Sequence, residues 1–231
     1  MGEHHESREA ITQKLLEYAI QQKALTFGMR KLKSGRMSPY FFNTGQLASG
    51  EGFALLGAAY ASTMVAAGTL EYDVLYGPAY KGIPLVTATS IALYERYGVS
   101  KSVVYNRKEV KNHGEGGLLV GESIAGKRLF LVDDVITAGT AVEESMRHAA
   151  AHGNARTQVV GGIVLLDRQE RGVKTNLSAV QEVKQKFGFT ILSVFTLDTL
   201  IGALGASAGP LAKEARQWLG AMREYRAEYG V

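Results

Sequence analysis

The chain has 231 residues, enough for one well-buried core with a small appendage. Hydrophobic residues make up 46% of it and charged residues 21%, which is typical of folded globular proteins and excludes a disordered chain. The formal net charge is only +4, and Lys and Arg are scattered outside one loop, so the composition favours small anionic substrates over nucleic acid.

The sequence contains no cysteine, which excludes disulfides and thiolate metal sites and fits a reducing compartment. Its first six residues lack the basic and apolar regions of a signal peptide, and no apolar run approaches the length that spans a membrane. We therefore expect a cytoplasmic protein without a membrane partner.

Helical and strand patterns alternate along the chain. The first helix is predicted over residues 7–24, with Ser7 as its cap, and residues 32–43 combine a polar turn with an aromatic strand. Further strands are predicted at 73–76, 102–106, 129–132, 158–166 and 190–195, and further helices at 54–67, 83–97, 142–150, 178–187, 197–204 and 211–229. The last helix is amphipathic, and we assign no chemistry to it.

This alternation predicts an α/β fold, a doubly wound parallel sheet of about five strands flanked by helices. We expect one domain over residues 1–231, with an N-terminal embellishment at about residues 1–50. Ligands of such sheets bind beyond the carboxyl ends of the strands. Four notable loops each follow a predicted strand and should converge on one crevice, namely 77–82, 107–117, 133–141 and 167–172.

The most informative stretch runs from Leu129 to Ala141. A buried strand ends in two adjacent carboxylates, Asp133 and Asp134, and a loop of small residues leads into a helix. Backbone N–H groups at a helix start can surround a phosphate, and Gly139 lets the backbone approach it closely. The carboxylates would repel that phosphate unless they bind something else, such as ribose hydroxyls with or without a magnesium ion.

An ordinary strand, loop and helix is the alternative, with Asp134 capping the helix. It explains Asp133 poorly, and the loop is too long for a simple cap. The hydroxyls of Thr137 and Thr140 add donors that suit a phosphate site. The stretch is not a Walker loop, because no G-x-x-x-x-G-K-[ST] pattern occurs in the chain.

Two further loops can be interpreted either as functional sites or as ordinary connections. Gly and Pro flank Tyr80 and Lys81, which fits a second anion-binding loop or a simple turn. Residues 107–117 hold three cations and a histidine beside three glycines, which fits a lid over a polyanion or a solvated loop. His148 and His152 are spaced i, i+4 on one helix, but no third ligand is placed to complete a metal site.

The amino-acid sequence of residues 132–140 closely resembles the PRPP-binding motif of type I phosphoribosyltransferases. The segments Lys33–Phe42, Gly77–Pro84, Asn106–Gly116 and Asp167–Gly172 extend the resemblance to the bacterial orotate phosphoribosyltransferases. The resemblance implies transfer of the phosphoribosyl group from PRPP to orotate, which yields orotidine 5'-monophosphate and pyrophosphate in pyrimidine synthesis. It also implies a homodimer with shared active sites, and Mg²⁺ bound mainly through PRPP and water.

The resemblance implies site residues in three groups. Those expected to contact PRPP are Lys33, Tyr80, Lys81, Arg107, Lys108, Lys111, His113, Asp133, Asp134, Val135, Ile136, Thr137, Ala138, Gly139, Thr140 and Ala141. Those expected to contact orotate are Phe41, Phe42, Thr137 and Arg168. Those expected to act in catalysis are Lys111, His113, Asp133 and Asp134, with Lys111 stabilising the departing pyrophosphate.

Two rival functions stay open at the level of the sequence. A phosphoribosyltransferase for a purine or for uracil would not need Arg168. A non-enzymatic regulator that binds PRPP and controls RNA or DNA should carry a basic face or an added binding domain, and the sequence shows neither.

Overall fold

A computed structural model describes residues 6–111, 117–136, 140–207 and 211–231. The helices are α1 (Arg8–Gln21), α2 (Gly50–Ala66), α3 (Gly82–Tyr97), α4 (Thr140–His152), α5 (Ala179–Phe187), α6 (Leu197–Ala206) and α7 (Leu211–Tyr229). The strands are β1 (Leu25–Lys31), β2 (Met37–Phe42), β3 (Val74–Gly77), β4 (Ser102–Lys111), β5 (Gly117–Gly121), β6 (Arg128–Val132), β7 (Gln158–Asp167) and β8 (Ile191–Thr196). A short 3₁₀ helix, Thr44–Leu47, follows β2.

The central sheet has the strand order β5-β4-β3-β6-β7-β8. Strands β4, β3, β6, β7 and β8 are parallel to one another, and they are the five strands of the parallel sheet that the sequence predicts. Helices α1, α2, α3, α6 and α7 contribute to the apolar core on one face of the sheet, and α4 and α5 cover the other face. The predicted doubly wound α/β fold is therefore confirmed.

Strand β5 was not predicted, and it changes the interpretation of residues 107–117. Strand β4 continues through Arg107 to Lys111 and pairs antiparallel with β5, so that Asn106 lies opposite Leu119 and Lys111 opposite Gly117. The basic and glycine-rich composition suggested a loop because pairing with a neighbouring strand is a tertiary effect that composition does not reveal. Residues 112–116 of the predicted lid lie outside the described residues.

The N-terminal part adds a helix and a separate hairpin. The Oγ of Ser7 accepts a hydrogen bond from the backbone N–H of Ala10 at 3.2 Å, so the predicted cap of α1 is confirmed. Strand β1, which the sequence analysis missed, pairs antiparallel with β2 and carries Gly28 at a φ of 139° next to a register shift. That irregularity interrupts the alternation by which a strand is recognised.

Close packing fixes the helices that position the crevice. A Cβ on Gly57 of α2 would lie 2.4 Å from the carbonyl oxygen of Ala88 in α3, so the two helices approach as closely as glycine permits. Within the described part of the chain, no helix is long and apolar enough to cross a membrane.

Candidate active site

The first cluster of the crevice lies where β6 ends. The Nζ of Lys81 is 2.6 Å from Oδ2 of Asp134, and the hydroxyl of Thr44 donates to the same oxygen at 2.8 Å. These residues come from the loop before α3, the loop after β6 and the 3₁₀ helix after β2. Asp134 is buried, whereas the side chain of Lys81 is 57% exposed. The structure thus brings together two residues predicted to bind PRPP, and it adds Thr44.

Among the described residues, the contacts of Asp134 lie away from α4. Its Oδ1 accepts from the backbone N–H of Val135 at 2.8 Å, and its Oδ2 accepts from Lys81 and Thr44. These contacts give the capping alternative no support. The backbone beyond β6 stays attached to β7 instead, since the carbonyl oxygen of Asp134 accepts from the N–H of Leu165 at 2.9 Å.

Asp133 is the unusual acid of the pair. Burial raises its pKa to about 7, and the negative charge of Asp134 acts in the same direction. Its Oδ1 accepts from the backbone N–H of Asp134 at 2.8 Å, and its carbonyl oxygen accepts from the buried hydroxyl of Tyr60 at 2.8 Å. Asp133 can therefore change its charge near neutral pH, and it is well placed to respond to a ligand.

Only part of the predicted phosphate loop is described. Val135 forms an isolated bridge with Leu166 on β7, and Ile136 packs beside the α4 and α5 side of the core. Helix α4 begins at Thr140, followed by Ala141. The remaining predicted residues of this loop, Thr137, Ala138 and Gly139, lie outside the described residues.

The β4–β5 hairpin approaches the same helix. The Nη1 of Arg107 donates to the carbonyl oxygen of Gly117 at 3.0 Å, which ties the two strands together. The Nζ of Lys108 lies 3.8 Å from Oε1 of Glu144 on α4. Lys111 is the last residue of β4, and His113 lies outside the described residues. The predicted lid thus begins beside the helix that follows the acidic pair.

Asn106 couples this hairpin to the loop after β3. Its Oδ1 accepts from the backbone N–H of Ala79 at 2.9 Å and from the hydroxyl of Tyr76 at 3.1 Å. The same hydroxyl is 2.8 Å from Nδ1 of His148. That nitrogen is therefore engaged, and within the described residues no group of three side chains could hold a metal ion.

Tyr80 and Lys33 both lie at the surface. Tyr80 is 70% exposed and precedes Lys81, and the peptide bond between Ala79 and Tyr80 is cis. Lys33 is exposed in the turn between β1 and β2.

A second cluster surrounds Arg168, in the loop after β7. Its Nε is 2.5 Å from Oε1 of Glu170, and its Nη2 donates to the hydroxyl of Ser38 at 2.9 Å. Its guanidinium carbon lies 4.3 Å from the ring centroid of Tyr40 and 5.7 Å from that of Tyr225. Burial alone would lower the pKa of Arg168, but Tyr40, Glu170 and Tyr225 together raise it. The side chain is a fixed cation, 21% exposed.

Phe41 and Phe42 lie on β2 and take different positions. The ring of Phe41 has the guanidinium of Arg30 4.8 Å from its centroid, and Phe42 packs against the main core. The aromatic residue of β2 in contact with Arg168 is Tyr40, whose side chain points to the same face of the strand as that of Ser38.

Several residues of these clusters were missed by the sequence analysis. Ser38, Tyr40 and Glu170 stand inside segments that had been singled out, so they could have been proposed from their neighbours. Tyr225 lies on the helix to which no chemistry was assigned, and no local pattern marks it out. Thr44 and Tyr60 likewise carry no local signal, because only the fold brings them to the acidic pair.

The two clusters share one edge of the sheet because β6 and β7 are parallel neighbours. Residues 43–191, which carry the acidic pair and Arg168, match the family model described as "Phosphoribosyl transferase domain". An orotate phosphoribosyltransferase from Photobacterium profundum is 47% identical over 223 residues, covering 96% of this chain and all of the relative. One from Edwardsiella ictaluri is 48% identical over the same shares.

A solved structure gives the same result. The crystal structure of orotate phosphoribosyltransferase from Francisella tularensis matches with a TM-score of 0.80 and 33% identity, covering 94% of this chain and all of that one. The chain belongs to the phosphoribosyltransferase family, and within it to the orotate phosphoribosyltransferases. The resemblance stated from the sequence motifs is thereby confirmed.

Proposed function

We propose that the crevice transfers the 5-phosphoribosyl group from PRPP to orotate and releases orotidine 5'-monophosphate and pyrophosphate. The observation that carries this function is the fixed cation of Arg168 at the sheet edge that also holds the acidic pair. Orotate is a planar anion, and a guanidinium can bind its carboxylate through charge-assisted hydrogen bonds. Relatives that are 47–48% identical over almost the whole chain carry the name of this activity.

The phosphate side would hold PRPP. Residues Val135–Ala141 lead into α4 and would surround the 5'-phosphate with backbone N–H groups, as the start of a helix does for anions. Asp133 and Asp134 would accept hydrogen bonds from the ribose hydroxyls. Tyr80 and Lys81 would meet the pyrophosphate, and Lys33 would add a further cation. The contact between the exposed Lys81 and the buried Asp134 supports this role, because the lysine side chain can turn from the carboxylate to a phosphate without first leaving a buried position.

The lid would act on the leaving group. Departure of pyrophosphate builds positive charge on the ribose and negative charge on the departing oxygens, so the main tasks of the protein are positioning and neutralisation. Arg107, Lys108, Lys111 and His113 would close over the pyrophosphate. Lys111 would stabilise its departing oxygen or protonate it.

The base side would fix orotate. Arg168 would bind the carboxylate, and Thr137 would contribute a hydroxyl. Phe41 and Phe42 would form the flat apolar wall.

Magnesium is implied by the family, and the donor set tests its fit. Asp134 is already paired with Lys81, and the partly buried Asp133 is the remaining carboxylate beside it. Two acids fit an ion that arrives with PRPP, keeps several waters and is held by substrate oxygens. When bound, Mg²⁺ would supply charge neutralisation to the pyrophosphate.

The reaction is tested by measuring base consumption with PRPP and Mg²⁺ for orotate, uracil, hypoxanthine and guanine. Pyrophosphate release with orotate only, and its loss on addition of EDTA, is expected. Turnover of another base would keep the PRPP site but refute the roles of Phe41, Phe42 and Arg168. PRPP binding without turnover of any base would favour a regulator.

We also propose a homodimer with shared sites. Ile91 and Tyr94, three residues apart on α3, are 53% and 64% exposed, and Tyr80 lies just before this helix. Exposed apolar side chains on α3 fit a subunit interface, and such an interface would bring each lid to the neighbouring site. Location in the cytoplasm and the lack of a nucleic-acid partner stay predictions.

Shared sites can be tested with two inactive variants. Each shared site would combine Lys111 of one subunit with Asp134 of the other. In a hybrid dimer of one Lys111→Ala subunit and one Asp134→Asn subunit, one of the two sites therefore receives both intact residues and should regain activity. Mass spectrometry would verify subunit exchange. Verified exchange without recovered activity would contradict sharing.

A further inference from the structure

The last helix and the residues after it clasp the loop that carries Arg168. The N–H of Arg171 donates to the carbonyl oxygen of Tyr229 at 2.9 Å, and the N–H of Val231 donates to the carbonyl oxygen of Gln169 at 3.1 Å. Glu170 forms an isolated antiparallel bridge with Gly230. The loop is thus paired with the end of the chain in the manner of a short strand, although the partners are 58 to 62 positions apart in sequence.

Glu170 accepts the hydrogen bonds that connect Arg168 with Tyr225 and Arg36. Its Oε1 accepts from Nε of Arg168 at 2.5 Å and from the hydroxyl of Tyr225 at 2.7 Å. Its Oε2 accepts from Nη1 of Arg36 at 3.2 Å. The Glu170 side chain is only 15% exposed, so the carboxylate is held by two cations and one hydroxyl with little competition from water.

Tyr225 contacts both the guanidinium of Arg168 and the carboxylate of Glu170 that holds it. Its hydroxyl donates to Glu170 and lies 3.4 Å from Nη2 of Arg168, from which it can accept. Burial raises the pKa of Tyr225 to about 12, so the hydroxyl keeps its proton and remains a donor. Its ring and that of Tyr40 stand edge to face, 6.4 Å apart, and the guanidinium carbon lies 4.3 Å from the centroid of Tyr40 and 5.7 Å from that of Tyr225.

These contacts use one side of the guanidinium. Nε and Nη2 carry its hydrogen bonds to Glu170, Ser38 and Tyr225. Of the hydrogen bonds that Arg168 makes to described residues, none uses Nη1. A guanidinium that is held along one edge has lost its rotamer freedom, so its remaining nitrogen, Nη1, points in a fixed direction.

We propose that Tyr225 and Glu170 are positioning residues that aim Arg168 at the carboxylate of the base, so that α7 determines how tightly orotate is bound. The inference deepens the proposed function and rests on it. Neither residue needs to touch a substrate, because each acts through the guanidinium. Substitution of Tyr225 should therefore change the KM for orotate and leave the KM for PRPP unchanged.

The test compares Tyr225→Phe with the wild-type chain in steady-state kinetics for each substrate. The variant keeps the ring and removes the hydroxyl, and we expect the KM for orotate to rise about tenfold, as for loss of a hydrogen bond beside a charge. The KM for PRPP and kcat should change less than about twofold. Glu170→Gln, which keeps the shape but loses the charge, should raise the orotate KM further.

The matched control is Tyr72→Phe. Tyr72 is fully buried, and its hydroxyl has no hydrogen-bond partner in the described structure. It precedes β3, at the opposite end of the strands from the crevice. This variant should leave both KM values unchanged, which separates loss of a buried hydroxyl in general from loss of this one.

A double-mutant cycle decides whether Tyr225 acts through Arg168. In an Arg168→Met background, Tyr225→Phe should have no further effect on the orotate KM. An unchanged orotate KM in the single variant, an equal rise for PRPP, or an effect that persists without Arg168 would each overturn the inference. Absence of orotate turnover by the wild-type chain would instead overturn the proposed function, and this inference with it.

Discussion

The two halves of the crevice are built differently. On the phosphate side, Lys81, Thr44 and Asp134 come from two loops and a 3₁₀ helix, and the side chain of Lys81 is 57% exposed whereas that of Asp134 is 9% exposed. On the base side, Arg168 is 21% exposed, makes three hydrogen bonds and lies against two aromatic rings. The first pairs an exposed lysine with a buried carboxylate, and the second holds a mostly buried cation with several partners.

The difference follows from what each half must bind. Because the side chain of Lys81 is exposed, it can exchange Asp134 for a phosphate of PRPP, whereas the buried Asp134 keeps its hydrogen bonds from Thr44 and Val135. A buried charge that loses its partners costs several kcal/mol, so the Arg168 network stays assembled and selects its ligand by geometry. We expect variants of the phosphate side to lose turnover and variants of the base side to lose affinity for orotate. Three predictions test this contrast.

The largest effect is expected on the phosphate side, from Lys111→Ala. Removing a cation that stabilises or protonates the leaving group should lower kcat by about 10²–10⁴-fold, while the KM for orotate changes little. Steady-state kinetics would measure both. The exposed lysine of α7 offers the control, and Lys213→Ala should behave as the wild type. Equal losses in kcat and in orotate binding would contradict the contrast.

Arg168→Met should show the reverse pattern. The variant loses charge-assisted hydrogen bonds worth about 2–3 kcal/mol, so the KM for orotate should rise roughly 30- to 150-fold. The KM for PRPP should stay within about twofold of the wild type. Arg216→Met, at an exposed position on α7, serves as control. A comparable loss of PRPP binding would show that the two halves are not separate.

The smallest effect concerns pH and Asp133. Burial raises its pKa from 3.8 to about 7, so the folded chain binds this proton more tightly than the unfolded chain does. Its contribution to stability is therefore present at low pH and is lost as the pH rises from about 4 to 7. Asp133→Asn should remove this part of the pH dependence, which denaturant unfolding at several pH values would measure.

The same ionisation should affect PRPP. A protonated Asp133 accepts fewer hydrogen bonds from ribose, so PRPP binding should weaken up to about tenfold from pH 8 to pH 6. Titration of the phosphates of PRPP occurs with both proteins, and the Asp133→Asn variant corrects for it. A wild-type chain whose binding follows the variant at every pH would show that this carboxylate plays no part.

Much of the fold could be predicted from the sequence because its signals are local. Apolar runs such as Leu129–Val132 and the cap at Ser7 each depend on a few neighbouring residues, and both were confirmed. Strands β1 and β5 were missed since each depends on a partner strand and contains glycines at positive φ, namely Gly28, Gly117 and Gly121. Pairing overrides composition at such places.

The sequence by itself determined the family, the five parallel strands and the loops that carry the acidic pair and Arg168. Each of those features lies within one contiguous segment, so residue type and spacing are enough to recognise it. Only the tertiary structure decided which side chains meet: that Lys81 pairs with Asp134, that Asp133 is buried enough to titrate near pH 7, and that Tyr225 supports Arg168 from 57 residues away. Contacts between distant segments depend on how the helices pack, and no local pattern records them.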